Sequence, residues 1–174
     1  FSRRDFDPPS VDYDIHEPSV GISYAFSPTL NGSVQAGYFM KEPETGSRRD
    51  GISYKAGITN RDVRTYYVFS LQGGYNEDFF TSENLGFTRY HRLTGSVTHS
   101  LDTRTSIGLY GNGELADFDS DRRDWIWGVG ATASYNPFKW LTLSLDVSHK
   151  ERDSDVDIND YVENRGVIKI TATY

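Results

Sequence analysis

Residues 140–149 read Trp-Leu-Thr-Leu-Ser-Leu-Asp-Val-Ser-His. Successive side chains of an extended chain point to opposite faces. Leu141, Leu143, Leu145 and Val147 therefore share one side, and Thr142, Ser144, Asp146 and Ser148 the other. The C-terminal stretch 165–174, Arg-Gly-Val-Ile-Lys-Ile-Thr-Ala-Thr-Tyr, repeats the pattern. Ile168, Ile170, Ala172 and Tyr174 oppose Val167, Lys169, Thr171 and Thr173. Each stretch is a strand with one fully apolar and one polar face.

Working back along the chain, the same alternation recurs in 19–26, 29–41, 51–60, 65–76, 90–101, 105–117 and 125–135, with no sustained 3.6-residue stripe. Nine strands are expected. Their connectors are of two kinds. Ser27-Pro28, Arg61 to Arg64, Asp102 to Arg104 and Asn136 to Lys139 are short, whereas 42–50, 77–89, 118–124 and 150–164 are long and charged. Short turns on one side and long loops on the other are the pattern of an up-and-down barrel in a membrane.

Charge placement sharpens this. The strand cores 20–26, 30–40, 52–59, 66–75, 93–101, 105–115, 125–135, 141–148 and 167–174 hold four of the chain's 43 charged residues: Lys55, Glu114, Asp146 and Lys169. A water-facing sheet would carry Lys and Glu along its wet side, but here Ser, Thr, Gly, Asn and Gln fill it. A sandwich with a polar exterior also satisfies the alternation. Charge depletion and one-sided loops favour a barrel with lipid outside and a polar lumen. The fold class read from the sequence is all-β, an antiparallel up-and-down transmembrane β-barrel forming a single domain over 1–174.

Composition excludes other classes. With 25 acidic against 18 basic residues, no basic face is available for nucleic acid. Without cysteine there is no disulfide framework, thiol nucleophile or Cys-based metal site, and no metal or cofactor is expected. The 14% aromatic content argues against disorder. No apolar run approaches the roughly 18–20 residues of a membrane-spanning helix.

Aromatic residues gather at the strand ends. Phe26, Tyr135, Trp140 and Tyr174 lie at the short-turn end, and Tyr38, Tyr54, Tyr75, Trp125 and Trp127 at the long-loop end. Two such belts suit the two interfaces of a bilayer. With Tyr174 closing an alternating strand (GVIKITATY), Gly-aromatic strands (QAGYFM, LQGGYN) and acidic long loops, the chain resembles bacterial outer-membrane β-barrel proteins, in particular the putative β-barrel porin families. The resemblance implies export, an outer-membrane location in a Gram-negative bacterium, contact with outer-membrane lipid and lipopolysaccharide, and a C-terminal Tyr174 read by the barrel assembly machinery. It leaves room for an oligomer or for a periplasmic or lumen partner. Single-chain bacterial barrels use even strand numbers. Nine strands, with 1–18 as an outer-side loop, make this the C-terminal part of a larger barrel. The rival is an eight-stranded barrel starting near Thr29.

Four constellations bear on function. Asp146 and Lys169 are symmetric about the last long loop, which predicts a directly opposed lumen ion pair, with Leu141 opposite Tyr174 and Leu145 opposite Ile170. Lys55 and Glu114 are further lumen-lining charges. Asp117-x-Asp119-x-Asp121 and Asp153-x-Asp155-x-Asp157 resemble oxygen clusters for Ca²⁺, but Arg122 and Ile158 stand where an EF-hand needs Gly, and solvated loops are expected. The histidines are scattered, with His99 and His149 on the apolar face, and no G-x-S-x-G elbow exists, so no catalytic residues are assigned. The expected function is a porin-like passive channel for ions or small polar solutes. Outer-facing segments hold 21 acidic and 12 basic residues, a balance that favours cations or neutral solutes. The alternatives are a non-conducting or plugged barrel serving as an anchor or part of a secretion or conduit complex, and a soluble carbohydrate-binding β-protein.

Overall fold

A computed structural model describes residues 2–4, 13–43, 48–78, 86–118 and 122–173. It is almost entirely strand: β1 (Ser2–Arg4), β2 (Tyr13–His16), β3 (Ser19–Ala25), β4 (Leu30–Pro43), β5 (Arg49–Arg61), β6 (Thr65–Asp78), β7 (Gly86–Ser100), β8 (Thr105–Phe118), β9 (Arg123–Phe138), β10 (Leu141–Ser154) and β11 (Tyr161–Ala172). All ladders are antiparallel, and neighbours in sequence are neighbours in the sheet. β2 and β3 both pair with β4, as two halves of one strand interrupted at Glu17-Pro18. Proline has no N–H to give a ladder, but its carbonyl still accepts from Tyr38 N at 3.1 Å. The result is an up-and-down sheet of ten antiparallel positions. Among the described residues no ladder joins β11 to β1 or β3, and the sheet stands open.

Two features differ from the sequence expectation. Residues 1–18 are not simply a loop, because Ser2–Arg4 pairs with Tyr13–His16, which in turn extends the line of β3 along β4. The strands also outrun the roughly 9–11 residues that cross a bilayer: β7 begins at Gly86 and β10 continues to Ser154. Charged side chains mark where a strand loses its apolar pattern. They do not end it, because backbone pairing continues as well in water.

The alternation sorts the sheet into two faces. Val20, Ile22, Leu109, Ile168 and Ile170 are each more than 60% exposed, on the same face as Leu143, Leu145 and Val147. An uncovered apolar surface of this extent marks a contact with lipid or protein. The opposite face carries Ser, Thr, Asn and Gln. Among the described residues there is accordingly no central core. The buried apolar cluster of Ile15, Phe39 and Phe87 lies at the long-loop end, with Tyr75 against it. It forms where the β5–β6 ladder stops at Tyr54–Gly73 while β6 stays paired with β7 alone. Tyr75 and Phe87 stack at 5.4 Å, and both contact Phe39.

The β10–β11 register corrects the predicted lumen pair. Asp146 is opposite Val167, Lys169 is opposite Ser144, Leu141 is opposite Ala172 and Leu145 is opposite Ile168. The turn is centred one residue earlier than symmetry about the charged loop implies. A 3₁₀ turn occupies Asp157–Asn159, and Asp160 Oδ1 accepts from Ser154 N at 2.8 Å, closing the hairpin. The slip amounts to two residues along the partner strand, so every side chain keeps its face.

Candidate functional site: the polar wall of the sheet

The polar face is built in rows of cross-strand neighbours. One row crosses seven strands as Gln35, Lys55, Gln72, Arg92, Glu114, Ile126 and Arg152. Two predicted lumen charges, Lys55 and Glu114, thus stand on the same row. Glu114 accepts from Arg92 Nε at 2.6 Å. Arg92 was not among the expected lumen charges, yet it was findable: it and Glu114 are equidistant from Thr103, the middle of the Asp102–Arg104 turn. Above Lys55 the face is hollowed into recesses of about 460 and 160 Å³ that share Glu17, Ser53 and Tyr90.

Nearer the short turns, Asp146 accepts from Tyr110 Oη at 3.0 and 3.2 Å, and among the described residues it forms no ion pair with Lys169. Tyr110 reaches Asp146 by lying across Gly130, its direct cross-strand partner, where a Cβ would collide with the ring. Gly130→Val is expected to displace Tyr110, break both hydrogen bonds and cost about 1–3 kcal/mol by overpacking; urea unfolding in detergent followed by tryptophan fluorescence checks it. Glycine opposite an aromatic ring is a known device for keeping a sheet smooth. Gly73 does the same on the apolar face: Tyr54 crosses it to bond His91 Nδ1 at 2.8 Å.

Of the predicted belt, Phe26, Tyr135, Trp140, Tyr38 and Trp125 are 42–61% exposed, and Trp140 stacks on Phe138 at 5.4 Å. Tyr54 and Trp127 are half-buried on the apolar face. Tyr75 departs from the belt, drawn into the Phe39–Phe87 cluster. Tyr174 lies outside the described residues. His91, His99 and His149 share the apolar face, where His99 bonds Thr65 at 2.9 Å and His149 bonds Asn164 at 2.8 Å. Of the acidic runs, Asp119 and Asp121 lie outside the described residues, while Asp117 accepts from Arg123 at 2.7 Å.

At the short turns, local side chains take over the backbone's bonds. Asp102 Oδ1 accepts from Arg104 N at 2.6 Å and Thr105 N at 2.8 Å, a turn built into the sequence. The Arg104 N–H first, aided by the backbone N–H and hydroxyl of Thr105 and the charge of Arg104, holds this carboxyl below its ordinary value.

At the long-loop end lies a cluster that sequence reading missed. Asp124 is fully buried. It receives Arg122 Nε at 2.8 Å, Arg122 Nη2 at 2.5 Å and Ser154 Oγ at 2.6 Å, with Arg152 Nε 3.7 Å away. Arg122 covers the Phe118 ring at 4.5 Å. This knot ties the start of β9 to the ends of β8 and β10. The Arg-Arg-Asp run at 122–124 was visible in the sequence, but Arg152 and Ser154 are brought to it only by the ladder.

The sheet thus has one exposed apolar face and one polar wall with paired charges set into it. No curated protein matches the chain. A family model described as Putative beta-barrel porin 2 matches residues 9–174; this chain belongs to that β-barrel porin family.

Proposed function

We propose that the protein acts in the bacterial outer membrane as a passive channel for ions or small polar solutes, without a catalytic step. The observation that carries this is the separation of faces over the whole sheet, which supports a water path on one side and acyl chains on the other. Porin chemistry needs no more than that: a wall of Ser, Thr, Asn and Gln replaces part of a solute's hydration, and fixed charges bias what enters. On this reading the partners are outer-membrane lipid, lipopolysaccharide at the loop end, and the assembly machinery that inserts the barrel.

The test is single-channel recording of the full-length, detergent-extracted protein in a planar bilayer. Stable conductance steps are the expected result. A folded barrel that conducts nothing would reject the channel and favour the filled barrel that anchors surface loops or serves a conduit complex. Release from membranes by salt alone would reject both.

A further inference from the structure

The overall acidity of the long-loop segments gives way to a different pattern when the charges are assigned to faces. In β10, Lys150 and Arg152 fall on the polar wall, while Glu151 and Asp153 fall on the apolar, outward face. The same sorting holds where β4 meets β5: Lys41 and Arg49 are inward, Glu42 and Asp50 outward. In these four pairs the pleat sends the cation to the lumen and the acid to the outside; Arg123–Asp124 is sorted the other way, with Asp124 taken up by Arg122 on the wall. The same wall carries Lys55, Arg92, Arg165 and Lys169, against Glu114, Asp124, Asp146 and Glu163, the last directly opposite Lys150. Arg92 neutralises Glu114 at 2.6 Å, and Tyr110 occupies Asp146. Lys55, Arg165 and Lys169 have no ion-pair partner among the described residues.

From this juxtaposition we infer that the channel prefers anions. The inference rests on the channel reading and names its substrate class: small inorganic anions and solutes bearing carboxylate or phosphate. A sheet points the side chains of its two faces in opposite directions, and at physiological salt a charge's field fades over about 8 Å. A permeating ion therefore meets the inward cations and is shielded from the outward carboxylates. A lumen with low-dielectric walls concentrates the field of its own fixed charges.

Reversal potentials of the full-length protein under a potassium chloride gradient test this. Chloride preference is expected, and the Lys55→Glu/Lys169→Glu double variant lowers the chloride-to-potassium permeability ratio by about two- to threefold. Because both lysines project from the polar wall, the double variant is expected to keep the heat-modifiable migration of a folded barrel. Asp153→Asn, on the outward face, leaves the ratio unchanged. Potassium preference in the unmodified channel would overturn the inference and leave the channel itself standing, as would a ratio that Asp153→Asn moves and the lysine variants do not. Absence of conductance would overturn both.

Discussion

Replacing Asp124 by alanine is expected to destabilise the protein by about 3–5 kcal/mol, the penalty for removing one partner of a buried ion pair and leaving the other uncompensated. Arg122 and Arg152 are only 11% and 17% exposed, so neither reaches water easily once the carboxylate is gone, and the Ser154 hydroxyl loses its acceptor. The damage should be local first, loosening the ends of β8, β9 and β10. Limited proteolysis of the long loops and the midpoint of urea unfolding read the two levels. A variant with unchanged midpoint and unchanged loop protection would show that the knot is ornamental. Acid should act through the same carboxyl. Burial is the largest single influence on it and opposes ionisation. The hydrogen bonds from Arg122 and Ser154, with the charges of Arg122 and Arg152, together outweigh burial and hold the carboxyl below its ordinary value. A depressed folded value means that this stability is fully present above the ordinary carboxylate range and is lost as pH falls through the folded value. Loop protection in the wild type should therefore persist at mildly acidic pH and fail only below the ordinary carboxylate range. Asp124→Ala should lack that acid step.

The second large effect is expected on the outward face. Leu109 is 67% exposed on β8, in a row with Val97, Ala131 and Val147. Leu109→Arg should cost about 2–4 kcal/mol when the protein folds into phospholipid vesicles, the penalty for an arginine at mid-bilayer depth on a barrel's lipid side. Asn112→Arg, three residues along the same strand but on the polar wall, should cost far less, because water remains available there. Urea titration of vesicle-folded protein measures both. Equal costs would mean that the two faces are not lipid and water, and would remove the physical basis of the channel reading.

Much of this was legible in the chain. Strands β4 to β11 and their short turns follow from alternation and from residues such as Asp102, whose side chain closes its own turn whatever surrounds it. The face of every strand residue also follows, since the pleat has period two. That is why the two-residue slip in the last hairpin changed the partner of Asp146 without moving it off the wall. Register was less accessible: symmetry about the Asp102–Arg104 turn would have found the Arg92–Glu114 pair, but symmetry about the longer 155–160 segment failed because a 3₁₀ turn absorbs residues unevenly. Strand length was underestimated wherever charges began, as at Arg89 and Lys150, because hydration of side chains and pairing of backbones are separate matters.

By itself, then, the sequence determined an all-β chain with an apolar face, a polar face, short turns at one end and long charged loops at the other, since these depend only on neighbours along the chain. Tertiary structure alone decided which residues meet across strands: Tyr110 reaching over Gly130 to Asp146, Tyr75 drawn to Phe39 and Phe87, and Asp124 closed in by Arg122, Arg152 and Ser154. Such contacts join positions up to tens of residues apart. They depend on register and on small offsets in turns, which local pattern does not encode.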